Sequence, residues 1–220
     1  MRYGSGKRGR RSIRLKEYDY TQPGAYFVTI CTEGGRCVFG EIANAEMQLN
    51  DAGRMIKTVW DELPKRYGGV SMDAFAVMPN HVHGVVLLKD TRDGRRQGMT
   101  FTPNDGQPRG VAPTEDHAGE QGIDCAAVDG EKGKGRRAAM SLSDVVARFK
   151  SLTTKQYREG AEREAWPRFV GRLWQRNYYE HVIRSDEELN GVREYISANP
   201  MRWGMDGENP EGPHGRDRQP

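Results

Sequence analysis

The chain has 220 residues, 30% of them charged and 35% hydrophobic, and its 34 basic against 31 acidic residues leave a net charge of +3. That length carries one domain with a real core plus an appendage, and no stretch approaches the roughly 18 apolar residues that a membrane span requires. Cys31, Cys37 and Cys125 are odd in number and at no zinc-like spacing, which excludes a disulfide framework and makes a cytoplasmic chain the expectation.

The small net charge hides a cluster. Arg2, Lys7, Arg8, Arg10, Arg11, Arg14 and Lys16 all precede Glu17, the first acid, so residues 1–16 form either a basic arm that contacts phosphates or a solvated terminus. Residues 25–32 are apolar and β-branched enough for a strand, and 38–42 with 46–49 read as a hairpin around Ala43-Asn44-Ala45. Asn50 or Asp51 caps a helix to about Leu63, with Met55, Ile56, Val59, Trp60 and Leu63 on one face and Pro64 near its end. Two further strands, 70–77 and 81–88, join through Met78-Pro79-Asn80. Residues 90–140 are rich in Gly, Arg and Asp without apolar periodicity, the composition of a flexible insertion. Ser141 then opens a helix with Val145, Val146, Phe149 and Leu152 as its buried stripe, and 174–184 read as a strand.

The last helix begins at Ser185-Asp186-Glu187-Glu188, a Ser-x-x-Glu capping box, and carries Leu189, Val192, Tyr195 and Ile196 at helical spacing. Pro200 ends it and pushes Asn199 out of the α region, at or just past the last turn. Residues 205–220 form a polar tail expected to be disordered. Mixed strands and helices suit an α+β sandwich, an antiparallel sheet with helices on one face, in a single domain over 17–204 interrupted at 90–140.

Two segments carry chemistry. In His81-Val82-His83 the imidazoles are two apart on a strand and project from one face, toward one cation; the alternative is a chance pair in an apolar strand. Tyr195 and Asn199 are four apart and share a helix face, so an amide oxygen suited to a hard divalent ion, Mg²⁺ or Mn²⁺, stands beside a hydroxyl able to attack a phosphate. Against this, Tyr195 could be a half-buried core tyrosine.

Tyr157 is the second candidate nucleophile, while Tyr178 and Tyr179 suit packing or stacking on a base. His181 suits a structural or DNA-contacting role, and His117 and His214 fall in segments expected to be disordered. Lys150, Lys155 and Arg158 recur on the polar side of the second helix and could track a phosphate backbone or form a solvated face. Trp174, Gln175 and Arg176 could touch nucleic acid, although a strand-starting Trp more often belongs to a core.

His81-Val82-His83 with Tyr195-x-x-x-Asn199-Pro200 resembles the HUH single-tyrosine nucleases, and in particular the REP-associated tyrosine transposases, an insertion-sequence-200-like family. The likeness extends through Arg14-Leu15-Lys16-Glu17-Tyr18-Asp19-Tyr20, residues 25–32, Phe149-Lys150-Ser151-Leu152-Thr153-Thr154 and residues 173–181, and covers 12–89 and 141–203. The resemblance implies a ferredoxin-like HUH fold with the histidines on a central strand and the tyrosine helix across that face. It implies cleavage and rejoining of single-stranded or hairpin DNA, REP-like palindromes, through a 5′-phosphotyrosine and a free 3′-hydroxyl. A monomer or homodimer fits this reading. Two other readings stay open: a non-catalytic hairpin-binding regulator with the same fold, and a histidine-triad nucleotide hydrolase, which needs a third alternate histidine where Val85 stands.

Overall fold

The computed structural model describes residues 18–89, 140–164 and 166–212. The basic arm with Arg10, Arg11, Arg14 and Lys16 lies outside the described residues, as do positions 90–139 of the expected insertion, His117, His214 and residues 213–220 of the tail.

In chain order the elements are β1 (Gly24–Cys31), β2 (Gly40–Ala43), β3 (Glu46–Leu49), α1 (Asp51–Arg66), β4 (Val70–Val77), β5 (His81–Leu88), α2 (Leu142–Arg163), β6 (Tyr179–Ile183) and α3 (Asp186–Ala198). A 3₁₀ turn, Pro200–Met205, follows α3. β4, β5, β1 and β6 form one antiparallel sheet in that order. Because β1 and β4 both run antiparallel to β5, they are parallel to each other, and their connection must cross over, which α1 does. Leaving aside the β2–β3 hairpin, the order is the β-α-β-β-α-β of a ferredoxin-like sandwich.

Alternation along the two central strands sorts the side chains. Tyr26, Val28 and Ile30 of β1 and Val82 and Val86 of β5 face the main core, closed by Ile56, Val59, Trp60 and Leu63 of α1 and Val145, Val146 and Phe149 of α2. Each such side chain, fully buried, contributes about 1.5–3 kcal/mol. Ala25 and Phe27 of β1 and Val85 of β5 face the other way, toward Leu189 and Ile196 of α3. The pair α1 and α2 meets the expectation of helices on one face, and α3 adds a cover to the opposite, histidine-bearing face. Gly84 matters on the main-core side: Trp60 lies flat on Phe75, ring centroids 4.3 Å apart, and a Cβ at position 84 would stand 2.5 Å from the indole.

The helix caps follow the sequence. Asn50 accepts from Gly53 N, Ser141 and Asp144 form a reciprocal box, and Ser185 accepts from Glu188 N. α1 runs past Pro64 to Arg66, further than expected, because Tyr67 N still closes the last turn on Leu63 O. The β2–β3 turn places Asn44 and Ala45 at φ of 53° and 61°, the left-handed pair of a two-residue hairpin.

Three expectations need correction. The strand expected at 174–184 is only Tyr179–Ile183, since Trp174 makes an isolated bridge to Thr32 and Lys150 Nζ donates to the carbonyls of Gln175, Arg176 and Asn177, holding them out of a ladder. Asn199 is not pushed out of the α region: at φ −60° and ψ −42° it leads into the 3₁₀ turn, and its carbonyl accepts from Arg202 N. Residues 205–212, expected as the start of a disordered tail, form turns in which Asp206 Oδ1 accepts from Glu208 N and Asn209 Oδ1 from Glu211 N, with Asn209 buried.

Candidate metal and nucleophile site

His81 and His83 open β5 and are both buried, opposite Cys31 and Thr29 of β1. Their Nε2 atoms lie 3.0 Å apart. The other nitrogens are held from behind: His81 Nδ1 is 2.8 Å from Asn80 Oδ1, and His83 Nδ1 is 2.8 Å from Thr29 Oγ1. Asn80 has no freedom to flip, because its Nδ2 donates to Gly35 O at 3.0 Å and Glu208 O at 2.7 Å. Its oxygen therefore faces the ring, Nδ1 of His81 must carry the proton, and in the neutral ring Nε2 is left with its lone pair. The Thr29 hydroxyl can donate or accept, so His83 can take either tautomer.

Desolvation by burial drives both imidazoles down, to about 3; at His83 the neighbouring His81 adds to the shift and Asp206 opposes it. The folded values lie below the ordinary 6.5, so between about 3 and 6.5 the unfolded chain binds protons that the folded one refuses. Stability is complete above that window and falls as pH drops through it, by up to about 1.4 kcal/mol per pH unit for each histidine. The melting temperature should decline from pH 6.5 to 4 and do so less steeply in His83→Gln; a flat profile in the wild-type chain would contradict the assignment.

α3 brings Tyr195 to this face. The Tyr195 ring meets the His83 ring edge-on at 5.3 Å and Phe27 at 5.9 Å, while Phe27 stacks on His83 at 5.5 Å. Tyr195 is 41% exposed, so part of it reaches the surface. The helix is seated by polar contacts as well as by Leu189 and Ile196. Arg193 Nε and Nη2 each reach a carboxylate oxygen of Asp73 at 2.7 Å, at the bulge of β4, and this fork holds the Asp73 carboxyl below its usual range. His181, half exposed on β6, sits 2.5 Å from Glu188 Oε1 in the first turn of α3.

Asn199 is buried, and its Oδ1 has no hydrogen-bond partner. An orphaned amide oxygen one helical turn beyond Tyr195, together with two converging imidazole nitrogens, fits a divalent ion. Asp206 joins them in space: one donor atom from each of His81, His83 and Asp206 lies within 4.8 Å of the others, a cluster that could hold a metal ion.

No family model matches the chain. An uncharacterized protein of Haemophilus influenzae is 34% identical over 210 residues, 93% of this chain and 96% of that protein. This chain belongs to the same family as the Haemophilus protein. A solved REP-associated tyrosine transposase bound to a REP hairpin superposes with a TM-score of 0.50 at 14% identity, over 88% of this chain and 76% of that one. The fold is that of the REP-associated tyrosine transposases, as the sequence motifs implied. A candidate transposase from Deinococcus radiodurans gives a TM-score of 0.41 at 14% identity, over 84% and 95% of the two chains. No helix among the described residues is long and apolar enough to cross a membrane.

On this transposase fold the remaining sequence candidates separate. Tyr157 is removed as a nucleophile: it is fully buried, burial pushes its hydroxyl up, and it donates to Pro167 O at 3.0 Å. Trp174 is core rather than DNA-facing, buried with Nε1 donating to Thr153 Oγ1 at 2.8 Å. Tyr179 is half exposed with its ring 6.2 Å from Phe27, and Lys150 Nζ lies over the Tyr178 ring at 5.4 Å. Lys150 is spent on the three carbonyls it caps, whereas Lys155, Arg158 and Arg176 are exposed and line a groove of about 610 Å³ along α2.

Asn80, Arg172 and Asp206 were missed. Arg172 lines the same groove. For Asn80 a signal existed, since an Asn directly before a strand His pair can reach back to the first ring. Asp206 gave none, lying in a stretch whose composition reads as a tail.

Proposed function

We propose that this chain is a metal-dependent, single-tyrosine DNA endonuclease and strand transferase acting on single-stranded or hairpin DNA. The observation that carries the reading is the exposed Tyr195 ring 5.3 Å from His83, on the face where two imidazole nitrogens converge at 3.0 Å. His81, His83 and Asn199 are the residues that would hold the ion. A bound Mg²⁺ or Mn²⁺ supplies Lewis-acid polarisation of the scissile phosphate.

Everything else falls to the chain's own groups. The Tyr195 hydroxyl loses its proton and attacks phosphorus in line, the Tyr195 Oη–P bond forms, and the P–O3′ bond breaks. The 3′ oxygen leaves and takes up a proton, and the 5′ side remains as a phosphotyrosine. Attack by another 3′-hydroxyl reverses these steps and joins a new strand without a nucleotide cofactor. Lys155, Arg158, Arg172 and Arg176 would track backbone phosphates along the α2 groove, and Tyr179 offers a face for an unpaired base. The hairpin bound by the solved transposase supports a palindromic hairpin as the substrate class.

The deciding experiment incubates the full chain with labelled REP-type hairpin oligonucleotides and Mn²⁺, followed by a denaturing gel and peptide mapping. A covalent adduct on Tyr195 is expected. An adduct on another tyrosine would reassign the nucleophile, and hairpin binding with no adduct on any substrate would leave the regulatory, non-catalytic protein as the reading.

A further inference from the structure

Asp206 stands within reach of His81 from a segment that the sequence gives no reason to place there. Its Oδ2 is 3.7 Å from His81 Nε2, too long for a hydrogen bond. In the tautomer that Asn80 imposes, that nitrogen carries a lone pair, so a carboxylate oxygen stands 3.7 Å from an imidazole nitrogen that has no proton to donate. Two acceptors this close repel, and a cation held by both removes that repulsion. Two ligands about 2.1–2.2 Å from one ion stand about 3.0–3.1 Å apart at a right angle and about 3.7 Å apart at roughly 115–125°, an angle that tetrahedral or five-coordinate sites accommodate.

We infer that Asp206 is a ligand of the same ion, adding an anionic oxygen on the His81 side to the two imidazoles and Asn199. This rests on the metal-site reading above. The carboxylate is aimed: Oδ1 is fixed by Glu208 N at 2.7 Å, and the backbone N of Asp206 donates to Trp203 O at 3.1 Å, which leaves Oδ2 toward the histidines. The turn is tied to the strand by Asn80, whose Nδ2 donates to Glu208 O at 2.7 Å. One residue thus sets both the His81 ring and the segment that presents Asp206. Charge supplies the chemical reason. Two neutral imidazoles and an amide leave both positive charges of a divalent ion uncompensated in a buried site, and hard ions such as Mg²⁺ and Mn²⁺ favour carboxylate oxygen. The other buried oxygen, Asn199 Oδ1, also lacks a partner, as a ligand atom would without its ion.

The test is Mn²⁺ titration of the full chain, followed by electron paramagnetic resonance of free Mn²⁺, in wild type, Asp206→Asn, Asp206→Glu and His81→Ala. Asn keeps an oxygen for Glu208 N and replaces the Oδ2 facing His81 with an amide NH2, which removes the charge and the proposed ligand atom together. Asp206→Asn should weaken Mn²⁺ binding about tenfold or more, with the metal-free melting temperature unchanged. An affinity within twofold of wild type in Asp206→Asn, with binding lost in His81→Ala, would overturn the ligand while leaving the histidine site standing. Binding unchanged in His81→Ala as well would sink both. If Asp206→Asn melts early, Asp206→Glu decides: recovery of Mn²⁺ affinity supports the ligand, and no recovery refutes it.

Discussion

Replacing Tyr195 with phenylalanine should abolish strand cleavage, by at least about a thousandfold, while hairpin affinity and melting temperature stay at wild-type values. The two halves of that expectation come from different facts. Tyr195 meets His83 and Phe27 through its ring, and phenylalanine keeps both contacts. The hydroxyl finds no hydrogen-bond partner among the described residues and the residue is 41% exposed, so its loss should cost the fold almost nothing. A residue retained for packing would behave in the opposite way, with cleavage persisting in Tyr195→Phe and failing only in Tyr195→Ala. Cleavage assays on labelled hairpins, with thermal melts of the same preparations, separate the two. Tyr157→Phe is the companion measurement: it removes the hydrogen bond to Pro167 O inside the core, so it should lower stability by about 1 kcal/mol and leave chemistry intact.

Asn80→Ala should be the most damaging single change that leaves every ligand atom in place. Asn80 is fully buried, and three hydrogen bonds run through it, to Gly35 O, Glu208 O and His81 Nδ1. Losing them leaves the buried His81 N–H without its acceptor and removes one donor from the Gly35 and Glu208 carbonyls, at a cost of roughly 2–4 kcal/mol. The His81 ring is then free to rotate and change tautomer, and Mn²⁺ affinity should fall about 10- to 100-fold, measured at a temperature where the variant is still folded. Asn80→Asp distinguishes orientation from bulk. It keeps an acceptor for His81 Nδ1 and loses both donors, so it should retain more metal affinity than alanine despite placing an anion against two carbonyls. Full Mn²⁺ affinity in Asn80→Ala would show that His81 is oriented by something else.

Periodicity made much of this readable. Alternation in residues 81–88 puts both histidines on one face and Val82 and Val86 in the main core, as found, and the stripes of α1 and α2 are helical patterns that any close-packed arrangement must bury. The caps at Asn50, Ser141 and Ser185 are local chemistry and were equally legible. What escaped depends on partners distant in sequence. Trp174 looks like a strand residue because aromatic side chains favour strands, yet Lys150, 25 residues before Gln175, takes the carbonyls that follow Trp174 and prevents pairing. Asn199 precedes a proline, which favours extended backbone, but the 3₁₀ turn it leads into gains a bond to Arg202 N. Asp206 is invisible for the same reason: a Gly-, Asp- and Pro-rich stretch reads as a tail until Asn80, 128 residues away from Glu208, ties it down. Arg193 reaching Asp73 across 120 residues is another contact that no local pattern announces.

The direction of β5 carries one more implication. Its histidines stand at the first and third positions, and the chain leaves the sheet after Leu88, seven residues and about 23 Å further along. The strand thus carries its imidazole pair at one end and its junction with residues 90–139 at the other.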